Sequence, residues 1–158
     1  MKSAHLSAPS HSIPGFIPGC PFCTIDPNRT TVVQEFALTR AVLSNPRLAP
    51  GHLLLIPIRH VQRLSELEHE ELDELVSLLI RYQELIFRKF TPGCDIRQNY
   101  HPFEPEGDIK VDHLHMHLIP RSYNDEFYRS VHTVEDALFQ LITPVEKERF
   151  YDLYHNLE

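Results

Sequence analysis

Three histidines alternate with apolar residues in one short run, and this alternation constrains the fold more than any other part of the chain. The run reads His113-Leu114-His115-Met116-His117-Leu118-Ile119-Pro120. Successive side chains of a strand point to opposite faces of a sheet. The pattern therefore predicts a half-buried strand over 111–119, stopped by Pro120-Arg121, with the imidazoles on one face and Leu114, Met116 and Leu118 on the other.

Two kinds of site fit three imidazoles on one face of a strand. Imidazole works as a nucleophile and as an acid or base near neutral pH, and it is also the commonest metal ligand. A catalytic zinc ion can take three imidazoles and keep a fourth position open. The residues alone leave both a nucleophilic site and a metal-dependent hydrolase as interpretations.

Two further segments belong with the histidine run. One is Pro50-Gly51-His52-Leu53-Leu54-Leu55-Ile56-Pro57-Ile58-Arg59-His60, and the other is Cys20-Pro21-Phe22-Cys23. Together with the run they resemble the histidine triad (HIT) superfamily of nucleotidyl hydrolases and transferases. The cysteine pair is similar to that of its zinc-bearing branch. The resemblance extends from about Cys20 to Arg121, which is most of the chain.

The resemblance implies a role for each of several residues. His115 would attack the α-phosphorus of a dinucleoside polyphosphate or a nucleoside phosphoramidate and carry the nucleotidyl group. His117 would donate to the phosphoryl oxygens or to the leaving group, and His52 would help to position the phosphate. Contacts to the substrate are expected from Ser44 or Asn45 at the ribose and from Asn99 near the phosphates.

The resemblance also implies a structural zinc ion. Its ligands would be Cys20, Cys23, His60 and His113. A site with two cysteines and two histidines is closed and tetrahedral, so the metal would anchor the N-terminal segment and would not activate water. A thiol redox pair is the alternative interpretation of the two cysteines, although the thioredoxin-like context is absent.

The loop before the histidine run departs from the pattern of the family. The loop 101–108 is longer than usual, and no glutamine is present where relatives carry one near the scissile phosphate. Carboxylates close to a polyphosphate repel it. Four acids lie in this loop or just after it, and three arrangements of their carboxylates are open. They can point away from the substrate in a solvated loop without a role, they can pair with Lys110 and Arg121, or they can bind a divalent cation that accompanies the substrate. The acids in question are Glu104, Glu106, Asp108 and Asp112.

The remaining patterns predict an α+β fold: an antiparallel sheet with one long helix packed on it and C-terminal helices added. Residues 1–19 are expected to form a flexible tail and 20–158 a single domain. Further strands are predicted over 31–35, 37–43, 51–57 and 95–100. Helices are predicted to begin at Ser65, near Thr133 and near Thr143.

Composition narrows the partners of the chain. A formal net charge of -7 argues against nucleic acid as the main partner. Apolar runs are too short for a membrane span, and the first residues lack the apolar core of a signal peptide, so a cytoplasmic protein is expected. The resemblance also implies that the chain forms a homodimer. A nucleotide-binding module with little catalysis remains a third interpretation beside the two enzymes.

Overall fold

The computed structural model describes residues 15–107, 109–123, 125–130 and 138–155. The chain separates into two compact units, Met1–Ser122 and Tyr123–Glu158, and each is described by itself. Of the predicted tail, residues 1–14 lie outside the described residues, and Gly15, Pro18 and Gly19 lie in turns. A single domain over 20–158 stays a prediction.

The first unit is built on a five-stranded antiparallel sheet in the order β1-β2-β3-β5-β4. A 21-residue helix, α1, connects β3 to β4 and spans His69–Lys89. The strands are β1 (Val32–Glu35), β2 (Thr39–Leu43), β3 (Leu53–Pro57), β4 (Gly93–Gln98) and β5 (Met116–Arg121).

The main core lies between α1 and one face of the sheet. Apolar side chains recur on α1 every three or four residues, so a single stripe of the helix faces the strands. The predicted α+β fold, with one long helix packed on an antiparallel sheet, is therefore confirmed. The cluster comprises Leu75, Leu78, Tyr82 and Ile86 of α1 with Ala41, Leu53, Leu55, Met116 and Leu118 of the sheet.

The opposite face of the sheet carries a second, smaller cluster. Val42, Leu54 and Ile56 pack there against Phe22, which lies between the two cysteines of the N-terminal segment. Because β3 is covered on both faces, all five of its residues are buried. This agrees with the unbroken apolar sequence of that strand.

Several predicted boundaries were wrong, and the reasons are local. Ser65 belongs to a 3-10 turn over Leu64–Glu66, and α1 begins four residues later, where Glu68 and Glu71 form the capping box. Strand β5 begins only at Met116, because the Leu114 N–H donates to the carbonyl of Val61 at 2.5 Å instead of joining the sheet. It also includes Pro120, which was expected to stop it.

The second unit contains helix α2 over Pro144–His155. The Thr143 hydroxyl donates to the Glu146 carboxylate at 2.7 Å, so the helix start predicted near Thr143 is confirmed. Residues 126–130 are also helical, whereas the start predicted near Thr133 lies outside the described residues. Within the described parts of both units, no helix has the length and apolarity to cross a membrane.

Candidate active site and metal centre

The residues of the candidate site come from the end of the sheet where β3 begins. Gly51 has a φ of 77°, and the turn at this residue places His52 directly before β3. In the register of β3 and β5, Leu54 is opposite His117, so the two segments bring His52 and His117 together. A positive φ favours glycine, which explains why glycine precedes the histidine.

His52 and His117 form a directional chain of hydrogen bonds. The backbone N–H of Leu48 donates to Nδ1 of His52 at 3.1 Å. A neutral His52 therefore carries its proton on Nε2, which lies 2.9 Å from Nδ1 of His117. His117 must then carry its own proton on Nε2. That atom is buried and has no hydrogen-bond partner among the described residues, so the chain of bonds leaves one N–H donor available.

His115 is held in the opposite tautomer. Its Nδ1 lies 2.6 Å from the carbonyl oxygen of His113, so Nδ1 carries the proton and donates. The lone pair is consequently on Nε2, the nitrogen available for attack. The ring centroid of His115 is 4.8 Å from that of His117 and 5.3 Å from that of Phe22. A lone pair and an N–H donor therefore lie on neighbouring rings.

Burial keeps these imidazoles neutral. Burial first, and then the charges of neighbouring groups, lower the pKa of His52 to about 4 and that of His117 to about 3. Burial also lowers the pKa of His115. A neutral imidazole is the form that can act as a nucleophile, and burial favours that form.

His113 lies with the N-terminal cysteines and His60. The ligand atoms of Cys20, Cys23, His60 and His113 all lie within 4.8 Å of one another. Nδ1 of His113 is 3.4 Å from the Cys20 sulfur and 3.7 Å from the Cys23 sulfur. In a tetrahedral zinc site with ordinary bond lengths, nitrogen and sulfur ligands are about 3.6 Å apart, so these residues fit such an ion.

Hydrogen bonding and burial also suit a metal at this position. Nε2 of His113 donates to the carbonyl of Pro57 at 3.0 Å, which leaves Nδ1 as the ligand atom. Burial raises the pKa of the Cys20 thiol to about 11, so a cation is needed to stabilise its thiolate. Nδ1 of His60 is 3.4 Å from the Cys23 sulfur, so this ring also presents a nitrogen to the cluster.

The predicted substrate contacts lie on two different loops. The Ser44 hydroxyl donates to the carbonyl of Pro46 at 2.7 Å, and the Asn45 side-chain amide donates to the carbonyl of Arg29 at 3.2 Å. Both bonds stabilise the loop between β2 and β3. Asn99 is exposed and directly follows β4. Binding of substrate by these three residues stays a prediction.

The acidic loop forms its ion pairs largely within itself. Lys110 pairs with Asp112 at 2.5 Å, which is one of the pairings expected from the sequence. The Glu106 carboxylate accepts the backbone N–H of Asp112 at 2.8 Å. Arg121 pairs with Asp95 of β4 at 2.5 Å. Asp108 lies outside the described residues.

Three contributors to the site were missed from sequence. Phe22 packs between the rings of His113 and His115, with centroids 6.0 and 5.3 Å away. The Leu48 amide orients His52, and a backbone donor leaves no signal in a sequence. Arg97 lies opposite His117 in the sheet. A signal was present in the sequence, because Arg97 is two residues from Asp95 and from Asn99. Alternate residues of a strand lie on one face, so Arg97 shares a face with Asn99, a predicted substrate contact.

Comparison with known proteins gives a consistent family. A family model described as HIT domain matches residues 26–124. The bis(5′-nucleosyl)-tetraphosphatase (asymmetrical) of Schizosaccharomyces pombe is 30% identical over 123 residues, which are 73% of this chain and 65% of the relative. The adenosine 5′-monophosphoramidase of the same organism is 31% identical over 113 residues, which are 68% of this chain and 77% of that protein. The chain thus spans just under two thirds of the first relative.

A solved structure has the same fold. The crystal structure of a HIT family protein from Bacillus anthracis matches with a TM-score of 0.65 and 24% identity, and the match covers 88% of this chain and 96% of that one. At this identity the likeness concerns the fold, including the five-stranded sheet and its long helix.

Proposed function

The chain belongs to the HIT domain family, and on this premise we propose that it hydrolyses or transfers the nucleotidyl group of a nucleotide derivative through a covalent intermediate on His115. The substrate would be a dinucleoside polyphosphate or a nucleoside phosphoramidate, the two classes that the names of its relatives indicate. We take the α-phosphate as the point of attack, because both substrate classes contain it.

The orientation of His115 carries this proposal. Its Nδ1–H is committed to the carbonyl of His113 at 2.6 Å, so Nε2 presents a lone pair. When Nε2 bonds to phosphorus, the ring gains positive charge. The same carbonyl oxygen stabilises that charge, because it accepts the remaining N–H.

The reaction proceeds in two displacements. Nε2 of His115 forms a bond to the α-phosphorus, and the bond from phosphorus to the leaving oxygen or nitrogen breaks with its electron pair on the leaving group. Water, or another acceptor, then attacks the same phosphorus and breaks the P–N bond. The nucleotide is released and His115 returns to its neutral form. The proton that the attacking water gives up returns to Nε2 of His117 where that group has protonated a leaving amine, or passes to solvent where the leaving group departs as an anion. Two steps of this kind have lower barriers than one direct displacement.

His117 would assist departure of the leaving group. Its Nε2–H is the end of the donor chain from Leu48 through His52, with a 2.9 Å bond between the two imidazoles. A donor aimed at the leaving atom stabilises the charge that develops there. His52 acts through His117, because it holds that ring in the tautomer that donates.

A structural zinc ion is part of the proposal. Cys20, Cys23, His60 and His113 would hold it, and their ligand atoms are mutually close enough to do so. When bound, the ion would supply charge for the two thiolates and a cross-link from the N-terminal segment to the sheet. Phe22, between the two cysteines, would thereby be held against the ring of His115.

The alternative of a catalytic centre with three histidine ligands has less support. Among the described residues, the one group of three or more candidate ligands contains His113 but neither His115 nor His117. Nδ1 of each of those two rings is within hydrogen-bond distance of another group. A nucleotide-binding module with little catalysis is an outcome of the experiment below.

The homodimer, the cytoplasmic location and a divalent cation carried by the substrate stay predictions. Helix α1 supports the homodimer, because it has a second stripe of apolar residues that is exposed. Each member of this stripe follows a residue of the buried face by one position, which rotates it by about 100° around the helix axis. Sedimentation equilibrium would test a dimer through this stripe. Its members are Leu72, Val76, Ile80 and Phe87, which are 39, 44, 59 and 40% exposed.

A rapid-quench experiment tests the covalent intermediate. We expect mass spectrometry of the wild-type chain, quenched during turnover of diadenosine tetraphosphate or adenosine phosphoramidate, to show one adenylyl adduct. His115→Ala should show neither adduct nor turnover. His69→Ala is the matched control, because the side chain of His69 is 84% exposed on α1 and should behave as wild type.

Three results would contradict the proposal in different ways. Turnover that persists in His115→Ala would exclude the nucleophile. Loss of turnover on chelation, with fold retained, would favour the metal-dependent hydrolase. Nucleotide binding without turnover by the wild-type chain would favour the binding module.

A further inference from the structure

Arg97 lies beside the reacting histidines on the same face of the sheet. It is the residue of β4 directly opposite His117 of β5. Opposite residues of an antiparallel pair point to the same face, with Cβ atoms about 5 Å apart. The guanidinium group of Arg97 therefore extends from the position next to the proposed leaving-group donor.

The orientation of Arg97 is fixed by a carboxylate that it shares with a second arginine. The Asp95 Oδ2 atom is 3.0 Å from Nη2 of Arg97 and 2.5 Å from Nη1 of Arg121. One carboxylate thus contacts both guanidinium groups. Arg97 is also the most accessible of them, with 36% of its side chain exposed.

The positive charge of Arg97 reaches both imidazoles of the donor chain. It contributes to lowering the pKa of His52 and that of His117, after burial and the effects of neighbouring histidines. A cation that acts on both rings is close enough to act on an anion bound against them.

The neighbouring acids are engaged elsewhere. Asp112 pairs with Lys110, and Glu106 accepts a backbone N–H of the same loop. Glu104 lies 3.7 Å from His101. The described acids that were expected to repel a polyphosphate thus interact within their own loop.

We propose that Arg97 binds the departing phosphate, so that the site prefers a nucleotide whose α-phosphate is linked to further phosphates over one whose leaving group is an amine. This inference rests on the proposed function. Arginine suits the task because its planar group can bind two phosphate oxygens at once. Relatives carry a glutamine near the scissile phosphate in the loop before the histidine run, and this chain has none there. Arg97 would bind the phosphate in its place.

Two substrates with the same adenosine and α-phosphate but different leaving groups test whether Arg97 acts on the leaving phosphate or on the site as a whole. Diadenosine tetraphosphate has an anionic leaving group, whereas that of adenosine phosphoramidate is an uncharged amine. For Arg97→Gln we expect kcat/KM to fall about 10- to 100-fold on the first substrate, as for loss of a charge-assisted hydrogen bond. On the second substrate it should stay within about twofold, because no phosphate leaves.

Two further variants complete the comparison. Arg97→Lys keeps the charge without the two-pronged geometry, so its loss on the tetraphosphate should be intermediate. Arg88→Gln is the matched control, since Arg88 is exposed near the end of α1 and should leave both substrates unaffected. Thermal unfolding of each variant verifies that it is folded.

Equal losses on both substrates, or no loss on either, would overturn the inference. A wild-type chain that turns over neither substrate would instead refute the proposed function. Binding keeps the two failures distinguishable: in calorimetry with the full chain, the wild type should bind ATP more tightly than AMP, and Arg97→Gln should lose that preference. Retention of the preference in Arg97→Gln would exclude Arg97 as a phosphate ligand.

Discussion

At the scale of single residues, the tautomer of each histidine decides what it can do. His115 and His117 are two positions apart and both are half-buried, yet one presents a lone pair and the other an N–H. The difference comes from their partners, which are the carbonyl of His113 for the first and Nε2 of His52 for the second. Hydrogen bonds to the second nitrogen of a ring therefore assign the chemical roles.

The donor role of His117 predicts a dependence on the leaving group. We expect His117→Ala to lower kcat about 100-fold or more on adenosine phosphoramidate, whose amine needs a proton to leave. The loss should be much smaller on the p-nitrophenyl ester of AMP, because that leaving group is stable as an anion. Steady-state kinetics on both substrates measure the ratio.

His52→Ala should show the same trend more weakly, since it removes only the group that orients His117. His69→Ala serves again as the exposed histidine control. Equal losses on the two substrates would mean that His117 supports the fold and does not donate to the leaving group.

At the scale of elements, the start of α1 depends on one buried carboxylate. Glu71 is 6% exposed. Its carboxylate accepts hydrogen bonds from Nε of Arg59 at 2.9 Å and from Nη2 of Arg59 at 2.5 Å. It also accepts one from the backbone N–H of Glu68 at 2.9 Å. These bonds connect the helix to the segment that leads into His60, so the helix and the proposed metal site share an anchor.

Removal of this charge should destabilise the chain in a pH-dependent way. Glu71→Gln is expected to lower the free energy of unfolding by about 1–3 kcal/mol at pH 7, as for a buried bond to a charged group. Arg59 lowers the pKa of Glu71 in the folded state. The ionised form therefore adds stability that is complete above the ordinary carboxyl pKa of about 4.3 and is lost as pH falls through the lower, folded value.

Urea unfolding at several pH values measures this effect. The difference between wild type and Glu71→Gln should be constant from neutral pH down to about pH 5 and should shrink in more acidic buffer. Glu70→Gln, an exposed change in the same helical turn, is the control. A difference that does not vary with pH would show that the Glu71 charge contributes nothing.

At the scale of the whole molecule, the N-terminal segment and the sheet meet in the proposed metal site. Cys20 and Cys23 are each 7% exposed, and Phe22 packs on Val42, Leu54 and Ile56 of the sheet. The contact joins residues about 90 positions apart, such as Cys20 and His113. A metal at that point would stabilise the first unit as a whole.

Metal content and stability should therefore fall together. We expect about one zinc per chain by elemental analysis of the purified protein, and both chelation and Cys20→Ser should remove it and lower the melting temperature by several degrees or more. Cys94→Ser should retain the metal, because Cys94 packs against the α1 core, away from the cluster. A chain that keeps its melting temperature without metal would contradict a structural role.

Much of the fold was predictable because local patterns in this chain agree with its tertiary structure. The capped apolar stripe of α1, the buried run of β3 and the alternation ending in β5 each specify an element with little ambiguity. Boundaries were less predictable. The start of α1 depends on a hydrogen bond from the Glu68 backbone N–H to the Glu71 carboxylate, and the late start of β5 depends on the distant carbonyl of Val61.

The sequence by itself determined which side chains are available: three alternating imidazoles, a fourth histidine after glycine, and two cysteines with the right spacing. The family resemblance implied that His113 would join the cysteines and that His115 and His117 would react, but only the tertiary structure decided which nitrogen of each ring carries the proton. His113 turns to the cysteines, His115 presents a lone pair, His117 presents a proton, and Arg97 faces the last of these. The physical reason is that the state of an imidazole and the reach of a guanidinium depend on partners brought together by strand pairing, which no local pattern records.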